Sequence, residues 1–281
     1  EAASSPFCFF VHLNGAHYVY RPRAPNHHAF GDHSFTDLAA NVRYQRDMVD
    51  SRPQIYADEY EFDATQDPVT ADLYRGGIYQ TDSLLERLFD ALRRADAFED
   101  TVIVIFGDDG DQLGDDGHFG HQFSVDDVLI RVPLLIVDPT DSIPTERSDE
   151  VVQLNDLYPT ALSMAGAEGP ETSSIDLTEE SRDAGYVYYS APESVLDRFA
   201  SDSTVDVDAL PPARQYAMWK SSEKKVVWYP DDDEFDGPSA DDDELKKSLL
   251  DHEASLSQIT TQADDEISSD VEANLRQMGY L

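Results

Sequence analysis

The run Thr101-Val-Ile-Val-Ile-Phe106 is the segment that most restricts the fold. Its residues are β-branched or aromatic on both alternating faces, so it reads as a strand that must be covered on two sides. Its carboxyl end delivers Gly107-Asp108-Asp109-Gly110-Asp111. The run Phe7-Cys-Phe-Phe-Val-His-Leu13 has the same texture and predicts another strand buried on both faces, with Cys8 a small buried thiol inside it. Between the two, Leu73, Ile78, Leu84, Leu85, Leu88 and Leu92 recur at helical spacing over about residues 69–95, behind Asp67-Pro68 and with Gly76-Gly77 as a point of interruption. Strand, long helix, strand predicts a βαβ unit and hence an α/β fold with a parallel sheet. Ligand sites in such folds lie at the carboxyl ends of strands, where the His17 loop and the Asp108 loop both emerge.

Residues 131–137 predict a further strand and 155–164 a helix that ends at Gly166. Beyond about residue 169 the texture changes. Short strands at 186–190, 216–220 and 225–229 alternate with acidic loops, and the tail from Glu244 reads as one or two surface helices. The expected organisation is an α/β layer over 1–168 and a smaller α+β subdomain over 169–281, without internal repeats. Trp219 and Trp228 read as packing residues of the later sheet.

Charge narrows the function classes. With 58 acidic and 20 basic residues the formal charge is −38, which repels phosphate backbones and anionic membrane surfaces, so neither nucleic acid nor membrane is an expected partner. The chain is still 40% hydrophobic and 10% aromatic, too much for a disordered acidic tail. Of the acids 40 are Asp, and the bases are 15 Arg and 5 Lys. That bias resembles the proteins of salt-loving archaea, and predicts a fold that depends on salt to screen its own repulsion. A single cysteine rules out an internal disulfide. No apolar run approaches the ~18 residues of a membrane span. Glu1-Ala-Ala-Ser-Ser5 is neither a signal peptide nor an initiator methionine, so the chain reads as a piece of something longer, cytoplasmic by default.

Among groups that could carry chemistry, Asp108 and Asp109 stand out. Carboxylates are the hard oxygen ligands of Ca²⁺ and Mg²⁺, and Gly110 permits a tight turn beside an ion. Adjacent Asp pairs also begin at 115, 126, 231, 241 and 264, so it is the position after a buried strand that singles this one out. The run is not an EF-hand loop, because the alternating ligands and closing Glu are missing. His17 opens the first loop, and His118 and His121 lie in Gly117-His-Phe-Gly-His-Gln122. A histidine near a cation site can bind an anionic oxygen or donate a proton to a leaving group. His27, His28 and His33 read as ordinary loop histidines. No Gly-x-Ser-x-Gly elbow, Walker loop or His-Glu-x-x-His helix occurs.

Taken in order, these motifs resemble the sulfatases of the alkaline-phosphatase-like superfamily. Phe9-Phe-Val-His-Leu-Asn14 followed by His17-Tyr-Val-Tyr20 is similar to the family's strand and His-x-Pro-Tyr loop, with Val19 in place of proline. Residues 74–92, with Tyr79 and Asp82, resemble its Leu-rich helix, and 101–111 its strand leading to Ser-Asp-His-Gly-Glu or Ser-Asp-Asn-Gly. Arg131-Val-Pro-Leu-Leu-Ile136, Asp156-Leu-Tyr-Pro-Thr160 and the terminus Asn274-Leu-Arg-Gln-Met-Gly-Tyr-Leu281 are further landmarks. The resemblance implies a partial alkaline-phosphatase-like sheet with flanking helices. It also implies hydrolysis of an anionic sulfate ester at bound Ca²⁺, with Mg²⁺ as a substitute, by a formylglycine made in a Cys/Ser-x-Pro/Ala-x-Arg motif. By the same resemblance Asp108 and Asp109 are metal ligands, His17 and His121 catalytic, and His118 substrate-binding; which of His118 and His121 faces the sulfate stays open. The formylglycine motif and two further metal Asp residues are expected upstream of residue 1, so the 281 residues alone are expected to turn over no ester. Two other readings remain: a phosphodiesterase or phosphoglycerol-transferase relative, and an inactive sulfatase-like binding or structural subunit.

Overall fold

The computed structural model describes residues 7–114, 117–143, 149–169, 172–202 and 205–256. The Asp pairs at 115 and 264 and the landmark at 274–281 lie outside the described residues. Contacts gather Glu1–Leu249 into one compact unit and Leu250–Leu281 into another.

Three helices open the first unit: α1 (Phe35–Asp50), α2 (Arg52–Tyr56) and α3 (Asp67–Arg94). A capping box starts α1, with the Asp37 N–H donating to the Ser34 hydroxyl and the Ser34 N–H to the Asp37 carboxylate. The expected break at Gly76-Gly77 is absent, since α3 runs through it as one helix of 28 residues. These glycines serve the approach of another backbone. A Cβ on Gly76 would stand 2.7 Å from the Asn26 carbonyl oxygen, and one on Gly77 2.0 Å from that of Gly15. Each costs about 1 kcal/mol of helix propensity relative to alanine, and in return the loop that carries His17 lies directly on the helix.

Under that loop Tyr20, Met48, Ile55, Val69, Leu73 and Phe119 form a core cluster. A buried polar chain crosses it. The Tyr20 N–H donates to Gln45 Oε1 (2.6 Å), Gln45 Nε2 to Asn41 Oδ1 (2.7 Å), and Asn41 Nδ2 to Thr70 Oγ1 (2.9 Å). The buried amides are thereby satisfied, and Tyr20 is held in register with α1 and α3.

β1 (Ile103–Phe106) forms where the sequence predicts it, but its partner is β4 (Leu134–Val137), antiparallel, with Ile103 opposite Val137 and Phe106 opposite Leu134. The expected parallel pairing across the βαβ unit is not made among the described residues. Residues 7–13 form no strand, Phe9 is 80% exposed, and Cys8 is exposed rather than buried. A run that is apolar on both faces becomes a strand only where lateral hydrogen-bond partners and two covering layers are at hand. The described residues offer neither to this segment.

Between β1 and β4 lie a ribbon of β2 (Gln112–Leu113) and β3 (Phe119–Gly120) and the short helix α4 (Asp127–Ile130). The helix predicted at 155–164 is a 3₁₀ turn, Leu154–Asp156, leading into α5 (Leu157–Met164), and Gly166 follows at φ 64°. Asp156 is fully buried at that junction. Its carboxylate accepts from the backbone N–H groups of Gln153 (2.9 Å) and Ile175 (3.0 Å) and pairs with the Arg182 guanidinium.

The later strands form one antiparallel sheet in the order β5 (Gly185–Ser190), β6 (Arg214–Ser221), β7 (Lys224–Tyr229) and β8 (Glu234–Asp236), with α6 (Glu193–Ala200) after β5. One face carries Met218 and Val226 beside Tyr186, Tyr216, Trp228 and Phe235, covered by Leu245 and Leu249 of α7 (Asp243–Ser255). On the other, Ala217 and Val227 pack on Val125. At the free edge of β5 the Gln153 carboxamide donates to Tyr186 O (2.6 Å) and accepts from Tyr186 N (3.2 Å).

Candidate functional site

The loops carrying His17, Asp108 and His121 converge, although the strands that were expected to deliver them do not pair. The loop after β1 hangs from α4 and the residues that follow it: the Gly107 N–H donates to Pro133 O (3.1 Å) and the Gly110 N–H to Leu129 O (2.9 Å). Gly110 has no substitute there, because a Cβ would stand 2.0 Å from Val128 O. Asp111 follows, its side chain 8% exposed. One of its oxygens accepts from the Tyr20 hydroxyl (3.0 Å), and the other stands 2.9 Å from His121 Nδ1. With Nδ1–H donating to Asp111, Nε2 of His121 faces Asp109, 3.9 Å from Oδ2.

The His17 and His121 rings meet edge to face, 6.1 Å between centroids. Tyr18 stands against both: it stacks on His17 at 5.1 Å and lies 5.7 Å from His121. Its hydroxyl accepts from Arg52 of α2 at 2.8 Å. From the other side Tyr56 donates to Phe119 O (3.2 Å) and so fixes the turn that precedes His121.

Charge in this group is unbalanced. Burial pushes the Asp109 carboxyl above the usual carboxylate range; His121 opposes that, and the charges of Asp108 and Asp111 add to it. Burial by itself lowers the His121 imidazole, but the hydrogen bond to Asp111 and the charges of Asp109 and Asp111 outweigh it, so the net shift is upward. Burial, and then Asp111, raise the Tyr20 phenol.

Of the residues singled out in sequence, the structure brings His17, His121 and Asp109 together, with Asp108 adjoining Asp109. His118 lies apart, its ring 6.5 Å from Tyr56, and its Nδ1 is buried without a hydrogen-bond partner among the described residues. Sequence reasoning missed Asp111, Tyr18, Tyr20 and Arg52. Asp111 had a signal, since it ends the same Gly-Asp-Asp-Gly-Asp run, and Tyr20 closes the His-x-x-Tyr motif. Arg52 had none.

Among the described residues, no group of three His, Cys, Asp or Glu side chains is placed to surround a metal ion. Asp108 and Asp109 fit a divalent cation as part of a ligand set: they are adjacent hard oxygen donors on the loop that faces His121. No helix of the described residues is long and apolar enough to cross a membrane.

A phosphonate monoester hydrolase of Agrobacterium radiobacter superposes with a TM-score of 0.56 at 17% identity, over 84% of this chain and 54% of that one. The likeness defines the fold as a mixed α/β arrangement of the alkaline-phosphatase-like kind. The Sulfatase family model matches residues 1–167, and the chain belongs to the sulfatase family. It is similar to arylsulfatase K of Canis lupus familiaris, 32% identical over 95 residues, which is 34% of this chain and 17% of that protein. It is also similar to the choline-sulfatase of Rhizobium meliloti (strain 1021), 27% identical over 166 residues, or 56% and 32% of the two. The chain thus spans 17–32% of the length of these two relatives.

Proposed function

We propose that these residues form part of the active site of a metal-dependent sulfuric ester hydrolase, in which Asp108 and Asp109 hold Ca²⁺ and His17 and His121 meet the ester. The observation that carries this reading is the His121 dyad with Asp111, set beside His17 and aimed at Asp109. When bound, the cation supplies Lewis-acid polarisation of the ester's oxygens. The protein's own part is orientation and proton supply. Asp111 fixes the ring of His121 and, with Asp109, favours its charged form, so Nε2 is suited to pair with an anionic oxygen or to protonate a leaving alkoxide. His17 flanks the same space from the opposite loop, and Tyr18, held by Arg52, closes one side of it against water.

The Cys/Ser-x-Pro/Ala-x-Arg pattern in which a formylglycine is made does not occur in the sequence. The formylglycine of the full enzyme is expected outside these 281 residues, together with the remaining metal ligands.

Calorimetric titration of calcium chloride into the full enzyme in molar salt tests the cation site. Binding is expected, and its loss in Asp108→Ala. No heat with the unaltered full enzyme overturns the reading and leaves an inactive binding or structural subunit as the better one. In the full enzyme, a sulfate ester is the expected substrate; preference for a phosphodiester or phosphonate ester would replace it with the phosphoryl-transfer alternative.

A further inference from the structure

The loop that carries Asp108 and Asp109 does not rest on its own strand alone. Both of its glycine amides hang from residues 129–133, through Gly107 to Pro133 O and Gly110 to Leu129 O. Gln112 Nε2 adds a longer contact to Asp126 Oδ2 (3.4 Å). Residues 125–133 therefore form a beam beneath the acidic loop, with α4 at its centre. A helix of four residues makes too few internal hydrogen bonds to hold itself, so something else must fix it.

What fixes it is the β6–β7 hairpin, about a hundred residues later in the chain. Lys225 of β7 is only 7% exposed, an unusual place for an ammonium group. Its Nζ donates to Val125 O (3.1 Å) and to Asp127 Oδ1 (3.1 Å). Trp219 of β6 donates Nε1–H to the same carboxylate oxygen at 3.1 Å. Arg131, at the other end of α4, donates to the Ser222 hydroxyl (3.1 Å) and lies 5.7 Å from the centre of the Trp219 ring. Val125 packs between Ala217 and Val227. A buried cation committed to one backbone carbonyl and one carboxylate tolerates little displacement, since moving either acceptor leaves it unpaired.

We propose that Lys225 is a positioning residue for the acidic loop, acting through Val125 and Asp127 to hold the beam from which Gly107 and Gly110 hang. The C-terminal sheet is on this account part of the machinery of the site and not an appendage to it. The cation half of the consequence rests on the function proposed above; the mechanical half does not.

The test uses the full chain in molar salt and reads two quantities, amide exchange and Ca²⁺ binding. In Lys225→Met, exchange at the Gly107 and Gly110 amides is expected to quicken about tenfold, as befits loss of a charge-assisted hydrogen bond. The amides of α1, remote from the hairpin, should change much less, and affinity for calcium chloride should fall in step with the loop. Trp219→Phe removes one donor to Asp127 with little change of volume, and should quicken the same two amides by a smaller factor. Unchanged exchange at Gly107 and Gly110 in both variants overturns the proposal. So does acceleration that is uniform across α1 and the loop in both, which would reduce Lys225 to a general stabiliser. The exchange rates decide the role of Lys225 whether or not these 281 residues, without the remaining metal ligands, bind Ca²⁺.

Discussion

Removing the Asp156 carboxylate by Asp156→Ala should cost about 4 kcal/mol of stability, at least a quarter of the roughly 5–15 kcal/mol that a domain possesses. The side chain is fully buried, and its two oxygens receive two backbone N–H groups and the Arg182 guanidinium, itself only 14% exposed. Alanine leaves all three donors behind. Each orphaned N–H costs about 1–3 kcal/mol, and breaking a buried ion pair about 3–5 kcal/mol; these overlap, because the same collapse or water entry relieves all of them, and the loss is smaller than their sum. In urea, with a slope of about 3 kcal/mol/M, the midpoint should fall by roughly 1.3 M. Circular dichroism at molar salt reads this directly. The companion measurement is a cycle with Arg182→Met: the double variant Asp156→Ala/Arg182→Met should cost clearly less than the two single losses together, because it leaves no cation behind. A loss below about 1 kcal/mol for Asp156→Ala, or strict additivity in the cycle, would refute the reasoning.

Gly77→Ala should destabilise by about 1–2 kcal/mol, the overpacking against Gly15 O exceeding the roughly 1 kcal/mol gained in helix propensity; a rise in melting temperature would show that the loop does not sit on α3. Dialysis from molar salt to dilute buffer should unfold the chain, since a formal charge of −38 is screened over about 3 Å at 1 M ionic strength but only over about 30 Å at 0.01 M; an unaltered circular dichroism spectrum contradicts this. Asp127 answers to pH. Partial burial raises its carboxyl, but hydrogen bonds from Ser222, Lys225 and Trp219 outweigh that and hold it below the ordinary value. A depressed folded value means stability that is present above the unfolded carboxylate pKa of about 3.9 and lost as pH falls through the folded one. The stability advantage of the unaltered chain over Asp127→Asn should therefore be full at neutral pH and shrink below pH ~4; an advantage that grows on acidification would reverse the assignment.

Much of the architecture was legible in the sequence because its signals are local. The periodic leucines of α3, the β-branched run of β1 and the short strands of the later sheet depend on the chemistry of neighbouring residues, and the structure places them within a few residues of expectation. Residues 7–13 misled for the opposite reason: texture announces that a segment can be a strand, but pairing depends on what lies beside it. Gly76-Gly77 misled similarly, since propensity weighs a glycine against its own helix and cannot see the backbone of Gly15 arriving from 62 residues away. At the site, the acidic run and the histidines were visible as residue types. Arg52 was not, because its role is set by the hydroxyl of Tyr18, which only the fold brings to it. The support that Lys225 gives to α4 was hidden for the same reason, with about a hundred residues of chain between the partners.

The carboxamide of Gln153 has a meaning beyond the strand that it touches. An exposed sheet edge invites a second molecule to dock its own strand there, and most acidic proteins discourage this by mutual repulsion. In molar salt, repulsion between molecules is screened almost to contact distance. Self-association must then be blocked by shape. On β5 the Gln153 amide occupies both the N–H and the C=O of Tyr186, so an incoming strand finds no open rung at that residue. The opposite edge, β8, offers three residues, two of them acidic. At high ionic strength the two edges of this sheet are thus guarded by one borrowed amide and one short acidic strand.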